Sequence, residues 1–176
     1  MKRKIGHVLA VAVAVAGLAF GAAGAAYADG NPYPALPVQN YVTGLCVDSN
    51  WMYGQTGTTP AYVTECNSGH VNQGWYSAPA GGGVDEVQIY NSWSGCLQAL
   101  PTARSVVVAH CDSGNIDQMW VVYRQGATGS TAGIWSYDSN ACGYDCYLGD
   151  DQGLGLDANS GLHPSAYELW SPPQSG

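Results

Sequence analysis

The stretch CNSGHVNQGW runs from Cys66 to Trp75, and 45 positions after its start the chain repeats its pattern as CDSGNIDQMW, Cys111 to Trp120. Both copies keep a seven-residue step from cysteine to glutamine, and both end on Gln-x-Trp. Upstream of the second copy lies SGCLQ (Ser94–Gln98), and upstream of the first lies TGLCVD (Thr43–Asp48). Each repeat therefore holds an early cysteine, an apolar run, a late cysteine, a turn and Gln-x-Trp. A third copy is worn: CGYDCYLGDD around Cys142, then LDANSG, then ELW ending at Trp170. Here Ala158 stands where the late cysteine belongs, Glu168 replaces the glutamine, and three extra residues separate the turn from the tryptophan. Trp75, Trp120 and Trp170 are spaced by 45 and 50 residues. Units of this length are too small to bury an apolar face alone, so they should pack around a common axis and cover one another's sheet edges.

Between the repeated phrases the chain reads as short strands. AYVTEC, VDEVQIYN, SVVVAHC and MWVVYR are apolar or alternating runs separated by Gly, Ser, Asn and Asp, and no window keeps a helical period. With 24 glycines in 176 residues and turn signals throughout, the expected class is all-β.

The opening MKRK, the apolar run VLAVAVAVAGLAF and the small residues ending at Ala28 predict a secretory signal peptide over residues 1–28. Export would leave 148 residues, enough for one domain. Residues 29–37, DGNPYPALP, read as an extended segment. The exported part keeps two basic residues, Arg104 and Arg124, against 13 acidic ones. Such a charge repels phosphate backbones and anionic lipid surfaces, which argues against nucleic acid and membrane as partners and leaves neutral ligands open. Six cysteines in an exported chain imply disulfides, with 15 possible pairings.

The repeats resemble the ricin B-type lectin domain (R-type, similar to family 13 carbohydrate-binding modules), a β-trefoil of three repeats with a Gln-x-Trp signature in each. The resemblance covers about residues 38–172, with repeats near 38–80, 84–125 and 132–172, almost all of the exported chain. It implies a disulfide between early and late cysteines, here Cys46 to Cys66 and Cys96 to Cys111. Cys142 and Cys146 are left over, and a local bond between them is the natural expectation once Ala158 has removed the usual partner. The tryptophans Trp75, Trp120 and Trp170, with Gln73 and Gln118, are expected in the core: a large aromatic at the same place in every unit of a closed repeat fold is most simply structural, and its glutamine ties strands together.

Sugar binding in that family uses an aspartate just after the early cysteine, an aromatic ring two residues before the late one, and a polar residue before the Gln-x-Trp glutamine. A carboxylate accepts two charge-assisted hydrogen bonds from neighbouring hydroxyls while a ring covers the apolar side of the pyranose. In the first repeat Asp48 and Asn72 match, and Thr64 occupies the ring position. Tyr62, on the same strand face by period-two alternation, or Trp51 from the nearby loop, is expected to supply the ring. The plain alternative is that Asp48 bonds its own turn. The second repeat offers Gln98, Ala109 and Asp117 at these places, which reads as a lost site, and His110 beside Cys111 reads as packed or solvated. Counting back without gaps in the third repeat puts Asp145 at the aspartate position, with Leu156 at the ring position.

The Asp138, Asp145, Asp150, Asp151 and Asp157 cluster does not fit a calcium loop, and DANSG reads as the third copy of a turn, so no metal or cofactor is expected. No GxSxG, HExxH or Cys/His nucleophile arrangement is present, and no catalytic residue is expected. The sequence thus predicts a secreted, non-catalytic module, and the resemblance implies carbohydrate binding, of galactose- or xylan-type glycans, with one weak site in the first repeat. The rival is a β-trefoil with decayed sugar sites that binds a protein partner, an inhibitor or accessory factor, through the insertions at Trp51–Pro60 and Tyr123–Trp135.

Overall fold

A computed structural model describes residues 35–67, 70–80, 86–125, 131–137, 145–150, 153–159 and 168–175. The signal-peptide reading of residues 1–28, most of the extended segment, and Cys142 lie outside the described residues.

The strand pattern obeys one rule three times. The first unit holds β1 (Leu36–Pro37), β2 (Cys46–Ser49), β3 (Thr58–Thr64) and β4 (Gly74–Pro79). The second holds β5 (Glu86–Asn91), β6 (Gly95–Leu100), β7 (Ser105–His110) and β8 (Trp120–Gln125). The third holds β9 (Thr131–Ser136), β10 (Asp145–Gly149), β11 (Gly155–Asn159) and β12 (Leu169–Trp170), and a short β13 (Gln174–Ser175) follows. In every unit the first strand pairs with the fourth: β1 with β4, β5 with β8, β9 with β12. The fourth pairs with the first of the next unit, β4 with β5 and β8 with β9, and a bridge from Trp170 to Asn40 brings the ring back to its start. The second and third strands form hairpins, β2–β3, β6–β7 and β10–β11. A closed ring leaves no edge of its own to template aggregation, and the first two hairpins also pair with each other through β3 and β7. The all-β, three-unit arrangement is that of a β-trefoil.

The core explains why the tryptophans recur. Trp75, Trp120 and Trp170 are all 0% exposed. Each indole N–H donates to a carbonyl of its own unit's β-hairpin: Trp75 to Val47 at 2.9 Å, Trp120 to Leu97 at 2.9 Å, Trp170 to Leu148 at 2.7 Å. The largest apolar surface of each unit is thus buried with its one polar atom satisfied. Val47, Leu97, Leu148, Ile89, Ile134, Val108 and Leu156 pack with them in the same cluster.

Opposite each tryptophan, on the next unit, stands a buried small polar residue: Asn91 against Trp75, Ser136 against Trp120, Asn40 against Trp170. Asn40 Oδ1 accepts from the Val42 and Thr43 amides, and Asn91 Oδ1 from Trp93 and Gly95, so these side chains shape the turn that enters each hairpin. At matched places in those turns Gly44 and Ser94 take left-handed φ of 70° and 59°; the Asn91 contacts hold the non-glycine Ser94 in a conformation that disfavours a Cβ.

Two disulfides staple the first two units, Cys46–Cys66 and Cys96–Cys111, across 20 and 15 positions. Cys146 is disulfide-bonded as well. Asp150, buried at the end of β10, accepts a hydrogen bond from the Thr43 hydroxyl and ties the third unit to the first. Among the described residues no helix is long and apolar enough to cross a membrane.

Candidate functional site

The first unit assembles a polar cluster around Asp48. β2 is buried along its whole length, so Asp48 enters the protein with its strand and is 3% exposed. A buried carboxylate needs hydrogen bonds. Oδ1 accepts from the Ser49 amide at 2.6 Å and Oδ2 from Gln73 Nε2 at 2.9 Å. Gln73 is itself fixed, donating to the Glu65 carbonyl at 3.0 Å and accepting from the Asn67 amide at 2.6 Å.

Tyr62 lies directly across the ladder from Asp48, which places both side chains on one face. The phenol donates to Asn50 Oδ1 at 3.1 Å. Burial, and after it the Asp48 charge, raise the Tyr62 hydroxyl above the ordinary tyrosine value of 10.0. Asn72 sits in the 3-10 turn Val71–Gln73 that leads into β4; it is 9% exposed and its Oδ1 is buried without a hydrogen-bond partner. His70 precedes that turn, its backbone held by N–H to Asn67 O at 2.9 Å and by O to Gln73 N–H at 3.0 Å. Its Nδ1 is 3.5 Å from Asp48 Oδ2, and its side chain is 47% exposed.

The structure therefore sets Asp48 and Tyr62 opposite each other on one ladder, with Asn72 in the turn beside Gln73. Asp48 also satisfies the plain alternative, since it bonds its own backbone neighbour. Trp51 is not part of the site, contrary to the expectation that it supplies a ring. It is 1% exposed and belongs to the core, with its indole N–H donating to Trp93 O at 3.2 Å. The cause lies in the second unit: a Cβ at Gly95 would come within 2.6 Å of the Trp51 ring, so the absent side chain opens the space the indole fills.

Asp145 does not occupy the aspartate position. Three matched pairs set the register: Gln39 opposite Cys46, Tyr90 opposite Cys96, and Trp135 opposite Tyr147. The bond from Trp170 to Leu148, matching those to Val47 and Leu97, gives the same alignment. Tyr147 thus stands at the early-cysteine place and Gly149 at that of Asp48. Ungapped counting from the NSG turn misses this because the third unit differs in length between its strands.

His70 and Asn50 were not among the expected residues. His70 lies within the repeated phrase, four residues after Cys66 where the second copy has Asn115, and only the fold shows that it faces Asp48. Among the described residues no group of three or more His, Cys, Asp or Glu is placed to hold a metal ion.

This fold and cluster define the class: a β-trefoil whose first unit gathers a polar group of side chains around Asp48, with Tyr62 across the ladder from it. No protein-family model matches the chain, and no curated protein sequence matches it. Solved structures do. The chain is similar to the designed three-fold symmetric protein ThreeFoil, with a TM-score of 0.59 at 14% identity over 77% of this chain and 94% of that one. It is similar to SeviL, solved bound to asialo-GM1 saccharide, with a TM-score of 0.56 at 15% identity over 77% and 92%. An exo-β-1,3-galactanase from Clostridium thermocellum gives 0.59 at 17% identity, over 81% of this chain and 31% of the galactanase. At such identities the likeness establishes the shared fold.

Proposed function

We propose that the protein is a secreted, non-catalytic carbohydrate-binding module whose site is the Asp48 cluster of the first unit. The observation that carries this reading is the pairing of Tyr62 with Asp48 across one ladder. A carboxylate accepts from sugar hydroxyls while the phenol ring covers the C–H face. Two of the solved likenesses, SeviL with its bound saccharide and the galactanase, are proteins of carbohydrates and support the reading at the level of the fold. The side chains gathered at Asp48 are two amides, an imidazole and a phenol. Glycosidic cleavage uses a pair of carboxylates, which favours binding without catalysis. The disulfides fit an oxidising, extracellular setting.

A single site of this kind binds in the millimolar range, about 4 kcal/mol. The test is a glycan array together with retention on insoluble xylan and galactose-bearing resin, comparing the parent with Asp48→Ala and checking both for folding by thermal melt. Loss of retention in the folded variant is expected; no retention on any glycan, or retention unchanged by Asp48→Ala, defeats the reading.

A second reading, binding of a protein partner, is favoured by one observation. Met52 and Tyr53 are 62% and 84% exposed at the tip of the β2–β3 loop. That loop is braced by buried Trp51 and by the Gln55 side chain, which accepts from the Met52 amide at 3.1 Å. Apolar groups held in place on a rigid loop are what protein interfaces use as anchors. If Tyr53→Ala abolishes capture of a partner that Asp48→Ala leaves intact, this second reading stands.

A further inference from the structure

We infer that His70 is a further ligand-facing residue of the first-unit site, and that its charge decides how much of Asp48 a ligand can reach, so that binding weakens on acidification. The inference rests on the carbohydrate reading above. An ionised carboxylate oxygen accepts about two hydrogen bonds. Among the described residues, the Ser49 amide takes one position on Oδ1 and the Gln73 amide one on Oδ2, so an acceptor position on each oxygen is what the proposal assigns to a neighbouring pair of sugar hydroxyls. The group next to the remaining position on Oδ2 is the imidazole of His70, half exposed beside a buried acid.

At 3.5 Å the Nδ1···Oδ2 approach is longer than a good hydrogen bond. With a neutral ring, Oδ2 keeps its free position and the imidazole flanks the ligand. A protonated ring is drawn into a charge-assisted bond with the same oxygen, which removes one of the two acceptors the hydroxyls need. Proton and sugar thus compete for one atom, and the linkage runs both ways: acid weakens the sugar, and sugar weakens the proton. The other titratable groups around the pair do not substitute for His70. Tyr62, facing Asp48 from β3, is neutral through this range, its hydroxyl raised above 10.0. Glu65, at the end of β3, meets the cluster through its backbone carbonyl, which accepts from Gln73. Arg104 and Arg124 belong to the second unit. In that unit the place of His70 is taken by Asn115, whose Nδ2 donates to Gln98 Oε1 at 3.3 Å, a side chain that cannot change charge.

The experiment measures retention on insoluble xylan and on galactose-bearing resin at about pH 8 and about pH 5, the span over which histidine charges, for the parent, His70→Asn and His70→Gln. The parent should bind about tenfold more weakly at the lower pH, the worth of one hydrogen bond to a charged group; both variants should hold their pH 8 affinity across the range. Retention whose pH response survives in both His70 variants leaves the site standing and overturns the role of His70. Absence of retention by every protein at both pH values defeats the carbohydrate reading and the inference with it.

Discussion

The first and second units are one scaffold with different chemistry. Gln73 and Gln118 make the same bonds: Nε2 to the carbonyl just before the late cysteine, Oε1 from the amide just after it. Even Asp48 has a counterpart, since Gln98 Oε1 accepts from Gln118 Nε2 as Asp48 Oδ2 accepts from Gln73. The aspartate's inner bond is therefore a scaffold duty that an uncharged amide also performs. What sets the first unit apart lies around it: Tyr62 where the second has buried Val107, His70 where it has Asn115, and Asn72 where it has Asp117. An aspartate after the early cysteine is thus weak evidence for a site, and the ring and amide beside it are stronger.

The comparison can be broken first at the scaffold, where the two units should behave alike. Trp75→Ala and Trp120→Ala each remove a fully buried indole and should each cost about 3–5 kcal/mol in chemical denaturation. A difference between them larger than that range would show that the units are not equivalent. Replacing both cysteines of Cys46–Cys66 or of Cys96–Cys111 by serine should cost about 3 kcal/mol each, with the longer first loop losing slightly more. Gly95→Ala drives a methyl into both the Trp51 ring and the Val108 side chain and should cost about 1–3 kcal/mol.

The smallest effect separates the units by pH. The Tyr62 hydroxyl titrates above 10.0 in the folded protein, so the native state holds that proton more tightly than the unfolded chain. The stability this contributes is complete below pH 10 and is lost as pH rises through the folded value. Tyr62→Phe should flatten the fall in melting temperature above pH 10, whereas Val107→Ala, at the matched position, should leave its slope unchanged.

The sequence made the fold legible where physical need repeats at a fixed step. Tryptophan, glutamine and the paired cysteines recur because each unit faces the same packing problem. The polar residues opposite the tryptophans were not legible, because the set Asn40, Asn91 and Ser136 changes chemistry in its third member. Trp51 was misread because its burial is decided by Gly95, 44 positions away on another unit. Asp145 was misread because strand register is settled by pairing, and insertions hide it from counting. Tyr62 was legible through period two alone, since residues two apart share a face on any strand. His70 needed the fold, because it reaches Asp48 across 22 positions of chain.

The central claim is that a ligand site exists in the first unit and not in the second. Its most direct measurement is retention on insoluble xylan and galactose-bearing resin of two folded variants, Tyr62→Ala and Asp117→Ala. Loss of retention in Tyr62→Ala, with Asp117→Ala equal to the parent, is the result this account predicts. Equal retention by both, or loss in Asp117→Ala alone, would contradict it.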